Sequence, residues 1–180
     1  TPSALDPFGG SLTGITGVNR DCIGFGKGAK PICNTYGFCF SYPNKEYALY
    51  RSKNKKDKLL SPRFIINGVI GGVRVGGNCS GIPTPQGFAY FDAGYSAKPL
   101  VFCGTVGIIP KKIKGKFAHI KNARHGDKIL MIGGSVGKDG FHGATFSSEE
   151  LDTESPVTAV QIGDPIIQKK FSDAIIKELR

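Results

Sequence analysis

The sequence has no tryptophan, one methionine and no run approaching the ~20 apolar residues that a membrane span needs. The last absence excludes a helical membrane segment, while 39% hydrophobic and 21% charged residues exclude a disordered polar chain; the reading is of a soluble globular protein. The single methionine is Met131, so Thr1 is not a translation start and the chain reads as a piece of something longer. Its opening, T-P-S-A-L-D-P-F-G-G, lacks the basic start and apolar run of a secretory signal. Cysteine is scarce and unpatterned. Cys22, Cys33, Cys39, Cys79 and Cys103 are odd in number and form no C-x-x-C pair, which removes the spacing of a disulfide framework or a zinc site. Free buried thiols in a reducing, cytoplasmic compartment are expected. His119, His125 and His142 are too scattered for a helix-borne metal motif, so a metal would have to use carboxylates.

Acid is the other shortage. Lys+Arg 24 against Asp+Glu 14 gives a net charge of +10, which favours anionic partners: nucleic acid, an anionic membrane surface or small phosphorylated ligands. Charge alone does not choose among them. Glycine, by contrast, is abundant: 26 glycines and 11 prolines in 180 residues are too many for a helical bundle and point to turns or to backbone lying close to a ligand.

Residues 1–40 are glycine-rich, and the polar stretch 43–58, with Arg51, Lys53, Lys55, Lys56 and Lys58 against Glu46 and Asp57, reads as a solvated loop. Ser61 and Pro62 then read as N-cap and first position of a helix. Its apolar residues Phe64, Ile65, Val69, Ile70 and Val73 fall at helical spacing, and Gly76, Gly77 and Asn78 end it. The interior glycines Gly68, Gly71 and Gly72 each cost up to ~1 kcal/mol against alanine, which implies another element packed closely on that face. Strands are expected at 88–91, 100–109 and 129–132. Asp164 and Pro165 open a terminal helix with Ile166, Ile167, Phe171, Ala174, Ile175 and Leu179 on its apolar face; no stop signal follows, a second sign of truncation. Lys111, Lys112, Lys114, Lys116, Lys121 and Arg124 place six cations and no acid between two apolar runs, either a solvated linker or an anion-binding stretch. Only Phe117 interleaves those charges for base stacking, so nucleic acid is not the expected partner. The acidic group Glu149, Glu150, Asp152 and Glu154 reads as an exposed loop or first turn. Together these segments make an α/β (α+β) domain with a mixed sheet, divided into residues 1–110, a basic linker 111–124 and residues 125–180.

Two constellations carry chemistry. The run G-G-S-V-G-K-D-G-F-H-G-A-T-F-S-S at 133–148 follows an expected strand, the arrangement in which glycines let backbone N–H groups converge on an anion. It is not a Walker A loop, because only three residues separate Gly133 from Gly137-Lys138 and Asp139 stands where Ser or Thr is required. Anion binding by this loop and tight structural turns both remain open. The second is Arg20-Asp21 within a glycine-rich opening: a guanidinium can grip a phosphate while the neighbouring carboxylate holds Mg²⁺, though the same dipeptide also suits a surface salt bridge.

The segments T-P-S-A-L-D-P-F-G-G-S-L-T-G-I-T-G-V-N-R-D, G-N-C-S-G-I-P-T-P-Q-G-F-A-Y-F-D, K-P-L-V-F-C-G-T-V-G-I-I-P, G-G-S-V-G-K-D-G-F-H-G-A-T-F-S-S-E-E-L and A-V-Q-I-G-D-P-I-I-Q-K-K resemble, in order, the first half of the phosphoribosylformylglycinamidine synthase family of purine biosynthesis. The resemblance is weakest over 43–58. It implies the fold of aminoimidazole ribonucleotide synthetase: a PurM-like N-terminal subdomain whose strands join a barrel at a pseudo-dimer interface with the second half of the full-length chain, then the start of a C-terminal subdomain, incomplete at both ends. It implies the ligase reaction in which ATP activates the formamide oxygen of formylglycinamide ribonucleotide and ammonia, released from glutamine by a glutaminase subunit or domain, gives the amidine, ADP and phosphate. Position by position, Arg20 resembles the family's substrate-binding arginine, Gln161 its substrate-binding glutamine and Asp21 its Mg²⁺ ligand. Lys138, Asp139 and His142 are a candidate ligand loop. The family's proton-accepting histidine precedes a proline, where this sequence has Thr1 before Pro2, so no catalytic residue is assigned and the isolated chain is expected to lack synthetase activity. A superfamily synthetase or kinase with another substrate, and a basic non-catalytic binding module, are the alternatives.

Overall fold

The computed structural model describes residues 3–51, 53–55, 58–143 and 157–179. Thr1 and residues 144–156, which include Glu149, Glu150, Asp152 and Glu154, lie outside them.

Helix α1 (Pro7–Ile23) opens on Asp6, whose carboxylate accepts from Gly9 N at 2.9 Å, with Pro7 entering the first turn. The sequence pattern leaves this helix unassigned. Its residues are small because it is buried on several sides: Ser11, Thr13, Thr16 and Asn19 are all in the interior. Helix α2 (Pro62–Ser80) is capped by Ser61, as the spacing predicts, but it runs past Gly76–Asn78 and stops at Gly81, whose φ of 66° supplies the left-handed C-cap. Gly76 and Gly77 do not end it, because tertiary packing against α1 stabilises that last turn. Gly68, Gly72 and Gly76, four residues apart, form a groove that receives Pro7, Phe8, Ser11 and Ile15 of α1. A Cβ at Gly68 would lie 2.9 Å from Pro7, and one at Gly76 would lie 3.1 Å from Ile15, so the close approach expected from the glycines is present.

The sheet has the order β2–β1–β3. Strand β1 (Lys30–Phe40) lies at its centre, parallel to β2 (Gln86–Phe91) and antiparallel to β3 (Leu100–Ile108). Thr35 pairs with Gln86 and Tyr36 with Cys103. The inner face of β1 presents Phe38 and Phe40 to Ile15 of α1 and to Ile65, Val69 and Val73 of α2, and this is the core. The outer face is apolar and uncovered: Phe88, Tyr90, Leu100, Phe102, Val106 and Ile108 are all more than half exposed.

After β3 the basic stretch forms a small hairpin, β4 (Lys112–Ile113) and β5 (Lys116–Phe117), turning at Lys114 and Gly115, both at positive φ. It is docked by Lys27 N donating to Ala118 O at 2.8 Å. The expected strand at 129–132 is absent: Ile129 is 99% and Met131 92% exposed, and no described element offers its backbone a pairing partner. An apolar run alone does not make a strand without a neighbouring edge. Helix α3 (Pro165–Ala174) opens as predicted on Asp164, which accepts from Ile166 N and Ile167 N, and widens into a π turn over Ile175–Leu179. Among the described residues no helix is long and apolar enough to cross a membrane.

Candidate functional site

Thr13, Gly17 and Arg20 recur at helical spacing on one face of α1. On that face Thr13 Oγ1 donates to the backbone carbonyl of Gln161, and Gly163 packs against Thr13 and Thr16. About one turn further along α1, Gln168 of α3 donates from Nε2 to Thr16 O at 2.7 Å in the interior. In an α-helix Thr16 O is the carbonyl that accepts from Arg20 N–H, so α3 is tied to the turn that carries Arg20. Between the two ends, a side chain at Gly17 would meet nothing within 4 Å. That leaves one stretch of this helix face, the α1 trough, uncovered at Gly17, with Gln161 at one end and Arg20 about 10 Å away at the other, from the ~1.5 Å rise per residue.

The glycine loop borders the same trough. Gly140 N donates to Thr158 O at 2.9 Å, Gly143 N donates to Gly140 O at 3.0 Å, and a Cβ at Gly140 would stand 2.7 Å from that of Gln161. The Gly140 conformation, φ 83°, is one that glycine adopts at little cost, and it lets the loop approach Gln161. His142, at φ 56°, holds a left-handed backbone that few side chains adopt, with its ring edge-on to Phe141 at 5.5 Å. Lys138, Asp139 and His142 are all exposed. Residues Arg20, Gln161 and the 138–142 loop, separated by more than a hundred positions in sequence, are thus gathered around one helix face.

Asp21 turns about 100° away from Arg20. It lines a cleft of about 520 Å³ between α1 and β3 with Val18, Cys22, Phe102, Gly104 and Thr105. Burial pushes the thiol of neighbouring Cys22 up, as it does that of Cys103, which reaches about 11. At the C-terminal end of α1, Lys27, Lys114, Lys116 and Lys121 line a further cleft of about 690 Å³, where Lys121 Nζ donates to Gly24 O at 2.7 Å. Thr13, Thr16 and Gln168 escape sequence reasoning. Their contacts span about 150 residues, and no local pattern marks a threonine or glutamine that bridges two elements.

A helical layer packed on one face of a three-stranded mixed sheet defines a two-layer α/β domain. The profile of the family described as AIR synthase related protein, N-terminal domain, matches residues 1–109, and the chain belongs to that family. Among curated relatives, the phosphoribosylformylglycinamidine synthase subunit PurL of Thermoplasma volcanium is 38% identical over 178 residues, covering 98% of this chain and 22% of the relative. That of Moorella thermoacetica is 37% identical over 180 residues with the same coverage. Among solved structures, T. maritima PurL complexed with FGAR superimposes with a TM-score of 0.70 at 29% identity, covering 98% of this chain and 25% of that one. T. maritima PurL complexed with AMPPCP gives 0.61 at 25% identity, with 98% and 22% covered. The chain spans about a fifth of the length of the curated relatives it matches. The PurM-like fold expected from the resemblance is the one observed.

Proposed function

We propose that the chain is the first-half portion of a phosphoribosylformylglycinamidine synthase, in which the α1 trough binds formylglycinamide ribonucleotide. The observation that carries this reading is the convergence of Arg20, Gln161 and the glycine loop on one face of α1. PurL structures of the same fold, complexed with FGAR and with AMPPCP, support the substrate and the nucleotide. In this reading Arg20 grips an anionic group of the substrate through charge-assisted hydrogen bonds, and the Gln161 amide orients the polar groups at the other end. Lys138 and His142, on the loop whose Gly140 lies against Gln161, are the further ligand contacts in this reading.

Among the described residues no three His, Cys, Asp or Glu side chains converge on a metal position. The single exposed carboxylate of Asp21 suits Mg²⁺, an ion that keeps most of its waters and is held by one or two carboxylates together with substrate phosphates. Asp21 would hold it there, and the ion would neutralise phosphate charge during transfer. Phosphoryl transfer depends mainly on positioning and charge neutralisation, which is what an arginine, a Mg²⁺ carboxylate and a glycine-lined loop supply.

The uncovered sheet face, with Phe88, Tyr90, Phe102 and Ile108, is where a second, related half of the full-length chain packs to form a pseudo-dimer. A glutaminase subunit or domain supplies ammonia, and the enzyme works in the cytoplasm, consistent with five free cysteines. The test is amidine formation by the full-length protein. Arg20→Ala raises the KM for formylglycinamide ribonucleotide about tenfold to a hundredfold, the worth of a hydrogen bond to a charged group. Asp21→Asn raises the Mg²⁺ concentration required, and Lys138→Ala weakens turnover or substrate KM. Unchanged kinetics in Arg20→Ala and Asp21→Asn would reject the reading.

A further inference from the structure

The residue before Arg20 is Asn19. Its side chain is 1% exposed, and it meets another buried amide, Asn34 of β1, also 1% exposed. Asn34 Nδ2 donates to Asn19 Oδ1 at 2.7 Å and to Gly104 O of β3 at 3.2 Å. One amide thereby ties the last turn of α1 to two strands. The arrangement is costly, because Asn19 Nδ2 and Asn34 Oδ1 have no hydrogen-bond partner among the described residues. An apolar pair of similar volume would bury the same space without that cost. The Asn19–Asn34 contact is therefore not explained by stability.

What a directed hydrogen bond adds is a fixed angle. Apolar packing lets a helix roll slightly on a sheet, whereas an amide that must meet both an α1 oxygen and a β3 carbonyl sets the rotation of α1 about its axis. The following residue is Arg20, and then Asp21. At the ~6 Å radius of a helix's side-chain surface, a roll of about 10° moves a group by about 1 Å, and a misplacement of that size in a catalytic constellation can cost about a hundredfold in rate. The same turn is also held by Gln168 on Thr16 O, so the two contacts together leave α1 little freedom.

We infer that Asn19 and Asn34 are positioning residues, retained at a cost in stability to set the rotation of the α1 turn that presents Arg20 and Asp21. The inference rests on the reading of Arg20 as a substrate-binding residue. It is tested in the full-length enzyme with the pair Asn19→Leu and Asn34→Ala, which removes all four amide atoms and keeps the summed volume roughly constant. The expected result is a thermal midpoint equal to or above that of the parent, with the KM for formylglycinamide ribonucleotide raised about tenfold and kcat reduced by a smaller factor. A merely structural contact would instead lower the midpoint and leave KM alone, and that result overturns the inference. Should the pair fail to give folded protein, Asn34→Ser is measured in the same way, and an unchanged KM in it also overturns the inference. Arg20→Ala runs alongside. If it leaves KM unchanged, the substrate-binding reading falls and the inference falls with it; if it raises KM while the asparagine variants do not, the inference alone falls.

Discussion

At Cys103 the thiol packs in the core with Ile15, Phe38 and Val69, and burial pushes its pKa from the ordinary 9.0 up to about 11. Below pH 9 the folded and unfolded chains both keep the proton, so this group leaves stability independent of pH. Between 9 and about 11 the unfolded chain releases the proton while the native state retains it, so stability falls as pH rises through that window. The same burial protects the thiol. A thiol reagent at about pH 8 modifies the half-buried Cys33 and Cys79 well before Cys103. Mass mapping of the modified protein checks this, and equal labelling of all three in folded protein would contradict it. Arg20 and Asp21 show what a single sequence reveals at this scale. Their chemistry is visible in the residue types, but a salt bridge would use the same two side chains, and the dipeptide alone does not choose between the two uses.

The glycines of the two packed helices make the prediction at the scale of elements. Gly72 sits in the α2 groove where an added Cβ would lie 2.9 Å from Leu12 N, so Gly72→Ala must push backbone apart and destabilises by about 1–3 kcal/mol. Gly17, about three turns into α1 with open space beside it, behaves oppositely. Gly17→Ala gains about 0.5–1 kcal/mol of helix propensity. Denaturant midpoints of the two variants check the pair, and a shift of the same sign in both would contradict the packing described. These residues also explain what was legible. Helix α2 could be located because Ser61-Pro62 marks its start and Phe64, Ile65, Val69 and Val73 keep helical period, although packing carries it past the predicted end at Gly76–Asn78 to Ser80. Helix α1 could not be, because a helix enclosed on several sides has small residues instead of an apolar stripe. The apolar run at 129–132 was misleading for the converse reason: its composition fits a strand, but no edge among the described residues pairs with it.

For the molecule as a whole, the fold class and mixed sheet follow from the order of the segments, while the sheet's exposed outer face has no counterpart in local pattern. Alternating side chains on β2 and β3 read equally well as a sheet covered on both faces. The site is assembled at this scale. Gln161 reaches α1 through a hydrogen bond spanning 148 residues, and Gln168 through one spanning 152. No spacing rule anticipates such contacts; the resemblance of the quoted motifs supplied the residues, and the fold places them along one helix. The central claim is that Arg20 and Gln161 hold the two ends of one ligand along α1. Calorimetric titration of formylglycinamide ribonucleotide into the full-length protein bearing Arg20→Ala, Gln161→Ala or both tests it most directly. The account predicts that each single variant weakens binding about tenfold or more, and that the double variant weakens it further, while the protein stays folded. Parent-like affinity in both single variants would contradict it.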